Sequence, residues 1–163
     1  SLKCGSATGL REWRTKVQSM EVVHIEDVPV EEVWGRLKED TESVLIDVRT
    51  RAEWAFVGLP DLTEIGKRVL TVEWQTSPEG RIDAAFPERL GEVLAAAGAN
   101  QETELFFICR SGGRSRMAAE AMANAGYRRC RNVADGFEGP LDAERHRGRV
   151  AGWKAAGLAW VQG

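Results

Sequence analysis

Apolar residues along this chain follow two rhythms. Val44-Leu45-Ile46 and Leu105-Phe106-Phe107-Ile108 are unbroken runs without polar alternation. Runs of this kind read as strands buried on both faces of a parallel sheet. Val22-Val23-His24-Ile25, Val69-Leu70-Thr71-Val72 and Arg131-Asn132-Val133 read as further short strands. Elsewhere the spacing is helical. Val30, Val33, Trp34 and Leu37 mark one helix, and Phe86, Leu90, Val93, Leu94 and Ala97 a second, closed by Gly98. A third runs toward Gly126, with Met117, Ala118, Ala121, Met122 and Ala125 on its apolar side. Glu53, Trp54 and Phe56 suggest a short helical turn, and Gln75 to Arg81, with Pro78 and Gly80, a loop.

Strand and helix therefore alternate, which predicts one α/β domain with a mostly parallel central sheet. Its expected extent is residues 19–163, with 1–18 as a tail lacking periodicity. In such sheets functional groups gather beyond the carboxyl ends of the strands. Asp47-Val48-Arg49 and Cys109 both follow an apolar run in that position.

Composition narrows the classes. A length of 163 residues suits one domain with a real core. The net charge of −3 argues against a nucleic-acid partner. No apolar run approaches the ~20 residues that span a bilayer, and no signal-peptide pattern stands at the start. Three irregularly spaced cysteines make no disulfide framework. The expected setting is a reducing cytoplasm without membrane attachment. Cys4 reads as a tail thiol, its alternative being a resolving cysteine for Cys109. Cys130 reads as packing, and His24 and His146 as a strand residue and a surface residue. No metal-ligand spacing occurs, so no metal is expected.

The chemistry concentrates in Cys109-Arg110-Ser111-Gly112-Gly113-Arg114-Ser115. A thiol at a strand end is followed by two glycines that let a loop curl, two arginines and a helix start. Amides of such a loop can face inward and cradle an anion. Arginines and a helix N-terminus both favour the thiolate, so Cys109 is expected to lose its proton readily and act as a nucleophile. An inert buried thiol would not explain the glycines and arginines beside it. Arg110 reads also as a solvated loop charge, and Ser111 and Ser115 equally as turn and capping residues.

Together, Asp47-Val48-Arg49, Glu53-Trp54 and Cys109-x4-Arg114 resemble a single-domain rhodanese, and Gly152-Trp153-Lys154-Ala155-Ala156-Gly157-Leu158 resembles the C-terminal segment of that family. The resemblance covers roughly Val22 to Val161. It implies a three-layer fold, a five-stranded central sheet with helices on both faces. It also implies thiosulfate-type sulfurtransfer through a Cys109 persulfide, without cofactor. Carried over, the Arg110–Ser115 amides line the persulfide pocket, and Arg110 and Arg114 bind or polarise a small anionic donor. Asp47, with Arg49 beside it, supports the loop, through Arg114. The acceptor is cyanide or a thiol, a protein thiol included. A non-enzymatic sulfur carrier or redox sensor is the alternative reading. Related phosphatases and arsenate reductases use Cys-x5-Arg, one residue longer, and mercaptopyruvate enzymes resemble Cys-Gly-Ser-Gly. One departure stands out: Gly58-Leu59-Pro60-Asp61-Leu62 lacks the histidine many members carry there, and a longer segment, Thr63 to Pro87, follows. Trp74 within it reads as core packing, with the pocket entrance as the rival role.

Overall fold

The computed structural model of this protein describes residues 23–76 and 80–162. Residues 1–22, with Val22, Cys4 and the expected tail, lie outside the described residues.

Five strands form the central sheet: β1 (Glu26–Val28), β2 (Val44–Asp47), β4 (Leu70–Thr71), β7 (Glu104–Ile108) and β8 (Arg129–Val133). Their spatial order is β1-β8-β7-β2-β4, and every pairing is parallel. β7 lies at the centre, with all five residues buried, which is why its sequence shows no polar alternation.

The pleat sorts the strand residues onto two faces. Leu45, Phe106, Ile108 and Val133 meet Val30, Val33 and Leu37 of α1 (Val30–Glu39), together with Phe137 and Trp153. Ile46, Leu105, Phe107 and Cys109 meet Phe86, Leu90 and Leu94 of α3 (Phe86–Ala96) and Ala118, Ala119 and Met122 of α4 (Gly113–Asn124). Helices thus cover both faces, as the α/β reading required.

Several details differ from the sequence reading. The first strand begins at Glu26, and His24 is exposed ahead of it. The expected loop over Gln75 to Arg81 carries a small antiparallel pair, β5 (Gln75–Thr76) with β6 (Arg81–Ile82). A second antiparallel pair, β3 (Leu59–Pro60) with β9 (Trp160–Val161), ties the chain end to the segment after α2 (Arg51–Phe56). In α4 the buried positions are Ser115, Ala118, Ala119 and Met122, while Met117 is exposed. The apolar side is rotated because alanines lie all around this helix and leave its phase weakly marked. Trp74 is buried edge-on against Phe86 at 4.9 Å, the core role. Trp153 is fully buried, donates from Nε1 to Ala159 O (2.8 Å) and meets Trp34 edge-on.

Candidate active site

Parallel strands deliver their carboxyl ends to one pole of the domain. There β7 ends at Ile108 and places Cys109, 1% exposed, at the floor of the loop that leads into α4. Gly112 precedes the helix at φ 111°, a backbone conformation open to glycine. Its N–H donates to Cys109 Sγ at 3.1 Å, and Ser115 Oγ lies 3.1 Å from the same sulfur. The first amides of α4 have no partner within the helix, so the sulfur stands at the positive end of a helix of 12 residues. Of the expected cradle residues, Gly112 and Ser115 reach the sulfur, while Arg110, Ser111 and Gly113 are exposed.

The loop is held from below. Phe137 N–H donates to Cys109 O (2.8 Å), and the amides of Glu138 and Gly139 donate to Arg110 O (2.9 and 3.1 Å). Three donors on two carbonyls tie the start of the loop to the segment after β8. Gly136, at φ 63°, makes the close approach possible: a Cβ there would abut Cys109 O and stand within 2.8 Å of Arg110 O. In the sequence this stretch stands out only as glycine-rich.

Arg114 does not pair with Asp47, contrary to expectation. Its Nη1 and Nη2 donate to the two carboxylate oxygens of Glu53 at 2.6 and 3.0 Å. Glu53 is positioned by a capping box: Glu53 N–H donates to Thr50 Oγ1 and Thr50 N–H donates to Glu53 Oε1. Burial pushes the Glu53 carboxyl up, but Arg114 and Thr50 outweigh it and hold the carboxyl below its ordinary range. Arg114 is correspondingly held more firmly protonated, chiefly by its hydrogen bonds to Glu53 and against the cost of burial, with Cys109 and Asp47 adding attraction. The Thr50-x-x-Glu53 spacing was the available signal for this residue.

Asp47 takes Arg49 instead. Both are fully buried. Arg49 Nε donates to both Asp47 oxygens (3.0 and 3.1 Å), and Nη2 donates to Asp47 Oδ2 (2.6 Å) and Gly58 O (2.7 Å). The guanidinium lies over the Phe137 ring at 4.3 Å. Arg49 therefore reaches the loop through the residue whose amide holds Cys109 O. Neighbouring strand ends, β2 and β7, are joined in this way because the two lie side by side.

A further polar group was not anticipated. Asn132 of β8 donates from Nδ2 to Asp27 Oδ1 (2.8 Å) and Gly112 O (3.1 Å), and Ser115 Oγ donates to Asn132 Oδ1 (2.6 Å). Nothing in the sequence marks Asn132, since only the order β1-β8-β7 brings it beside the loop.

Other candidate chemistry lies elsewhere. Cys130 is buried, and burial pushes its thiol up to about 12, so it stays protonated. Asp142, Glu144 and His146 cluster on an exposed loop. Asp142 Oδ1 there accepts from the amides of Glu144 and His146, and Arg149 lies 3.6 and 3.5 Å from Asp142 and Glu144. Those partners already balance the carboxylates. Among the described residues no helix is long and apolar enough to cross a membrane.

Known proteins share this architecture. The family model described as the STR4 middle domain matches residues 26–163. The uncharacterized protein RC0915 of Rickettsia conorii is 32% identical over 136 residues, covering 83% of this chain and 97% of its own length. The crystal structure of Rv0390 from M. tuberculosis superposes with a TM-score of 0.75 at 44% identity, covering 86% of this chain and 100% of that one. A thiosulfate sulfurtransferase from Pseudomonas aeruginosa shares the fold, with a TM-score of 0.55 at 19% identity, over 86% of this chain and 21% of that one. The chain belongs to the STR4 middle-domain family and has a rhodanese-like fold.

Proposed function

We propose that this protein is a sulfurtransferase that carries sulfane sulfur as a Cys109 persulfide, with thiosulfate or a similar small anion as donor. The observation that carries the reading is the loop itself: one buried sulfur, 3.1 Å from the Gly112 amide and from the Ser115 hydroxyl, with four residues between Cys109 and Arg114. That loop is short for the tetrahedral oxygens of a phosphate. A single added sulfur demands less room.

In the proposed reaction the Cys109 thiolate attacks the outer sulfur of thiosulfate. The new Sγ–S bond forms as the S–S bond of thiosulfate breaks, and sulfite leaves with the bonding electron pair. The persulfide then carries one negative charge on its outer sulfur, where the Gly112 amide and the α4 N-terminus stabilise it. An acceptor, cyanide or a thiolate, takes that sulfur and returns the electron pair to Sγ. Arg110, exposed at the loop, meets the incoming anion. Arg114, already engaged by Glu53, contributes positive field and holds the loop to α2.

Incubation with thiosulfate should add one sulfur to the intact mass, and cyanide should remove it. Cys109→Ser should abolish both the mass gain and thiocyanate formation; turnover that survives this substitution would reject the assignment. A carrier that serves a protein partner is the second reading. It predicts loading by a protein persulfide with negligible thiocyanate turnover.

A further inference from the structure

Ser115 offers one hydroxyl hydrogen to two acceptors. Cys109 Sγ lies 3.1 Å from Ser115 Oγ, and Asn132 Oδ1 lies 2.6 Å from it. The orientation of Asn132 is not free. Its Nδ2 faces two oxygens that can only accept, the Asp27 carboxylate and the Gly112 carbonyl, so its Oδ1 must face Ser115. Asp27 is itself anchored by Arg116, and Asn132 is 3% exposed. Ser115 and Asn132 are both buried, so water does not compete readily for the hydrogen bond between them.

We propose that Asn132 is a positioning residue that sets the thiol–thiolate balance of Cys109 by competing for the Ser115 hydroxyl. With the sulfur protonated, S–H donates to Ser115 Oγ and Ser115 donates to Asn132, so every hydrogen has an acceptor. When the proton leaves to solvent, the hydroxyl must turn to the negative sulfur. The Ser115–Asn132 hydrogen bond is then lost, and Asn132 Oδ1 gives up that donor in a buried place. Asn132 therefore opposes the free thiolate. In a persulfide the charge sits on the outer sulfur and Sγ is a weaker acceptor, so the hydroxyl returns to Asn132. The same competition thus favours the loaded state over the bare thiolate. This second consequence rests on the sulfurtransfer reading; the first needs only that Cys109 is the reactive thiol.

The charged groups around the sulfur are common to all forms compared. They are Arg114 with Glu53 from α4 and α2, Asp47 with Arg49 at the end of β2, Asp27 with Arg116 from β1 and α4, Arg110 on the loop, and Asp135 and Glu138 in the segment after β8. Asn132→Ala also releases Asp27 and Gly112 O from Nδ2, and the Ser115→Ala background separates that effect from the competition for the hydroxyl.

The test is the rate of Cys109 alkylation by iodoacetamide as a function of pH, followed by peptide mass, on the full chain. Asn132→Ala should move the midpoint of the profile to lower pH, with alkylation below the midpoint faster by roughly three- to tenfold, the scale of one net hydrogen bond. Ser115→Ala should move it to higher pH. In the Ser115→Ala background, Asn132→Ala should have no further effect, because the hydroxyl that transmits it is gone. Asn132→Leu, closer in volume and without an acceptor, takes the place of Asn132→Ala if that variant does not fold. A profile that superposes on the parent, or a shift that persists at full size without Ser115, overturns the proposal. The mass gain from thiosulfate, measured separately on the parent protein, reports on the sulfurtransfer reading, so failure of one is distinguishable from failure of the other.

Discussion

Gly136 shows how much the site depends on single atoms. Its φ of 63° and the space beside Cys109 O exclude a Cβ. Gly136→Ala should cost about 1–3 kcal/mol, the scale of local backbone strain. Urea denaturation would measure that loss. The mass gain from thiosulfate should fall in the fraction that remains folded, because the displaced loop no longer aims the Gly112 amide at Sγ. Unchanged loading would show that the loop tolerates movement of its floor. The place of Cys109 between a strand and a helix was legible, since an apolar run precedes it and two glycines and a helical pattern follow. Gly136 was not, because nothing local distinguishes a glycine under a loop from one in a turn.

At the level of elements, the link from α2 to α4 carries a pH signature. Glu53 is held below the usual 4.5 in the folded chain, with Arg114 and Thr50 prevailing over burial. A carboxyl with a lowered folded value binds protons more readily when unfolded, so its contribution is present above pH 4.5 and lost as pH falls through the folded value. Wild-type stability should therefore decline below about pH 4.5, and Glu53→Gln should flatten that part of the profile. Urea midpoints at several pH values would reveal it; parallel curves for the two proteins would remove Glu53 from the account. At neutral pH, Glu53→Gln should cost roughly 1.5–3 kcal/mol, the worth of hydrogen bonds to a charged partner. The short helix was visible in Glu53, Trp54 and Phe56. Its pairing with Arg114, 61 residues away, was not, and Asp47 was expected in that place. Asp47 turned out to be taken by Arg49, two residues on, whose side chain can fold back onto it where the strand ends.

Across the whole molecule, the last thirty or so residues act as a clasp rather than a site. Gly152 and Trp153 pack beneath the segment that carries Gly136: Trp153 N–H donates to Gly136 O (2.9 Å), and the Trp153 ring fills the α1 face of the core. Trp153→Ala should cost about 3–5 kcal/mol, as for other large core aromatics. It should also loosen the Cys109 loop, read as faster proteolysis and weaker sulfur loading at temperatures where the variant is still folded. Full loading at those temperatures would mean that the clasp stabilises the domain without shaping the site.

The chain by itself determined the alternating elements, the buried β7, the position of Cys109 at a strand end and the length of its loop. Each of these is local: side-chain periodicity, backbone freedom and spacing act within a few residues. The tertiary structure decided which charges pair, which side of an alanine-rich helix is buried, and which distant groups meet the sulfur. Those outcomes depend on strand order. Placing β8 between β1 and β7 brings Asn132 and Asp27 to Ser115, and placing β2 beside β7 brings Arg49 and Phe137 together under the loop. Long-range proximity of this kind leaves no periodic trace in sequence, because it is produced by the packing of whole elements and not by the preferences of neighbouring residues.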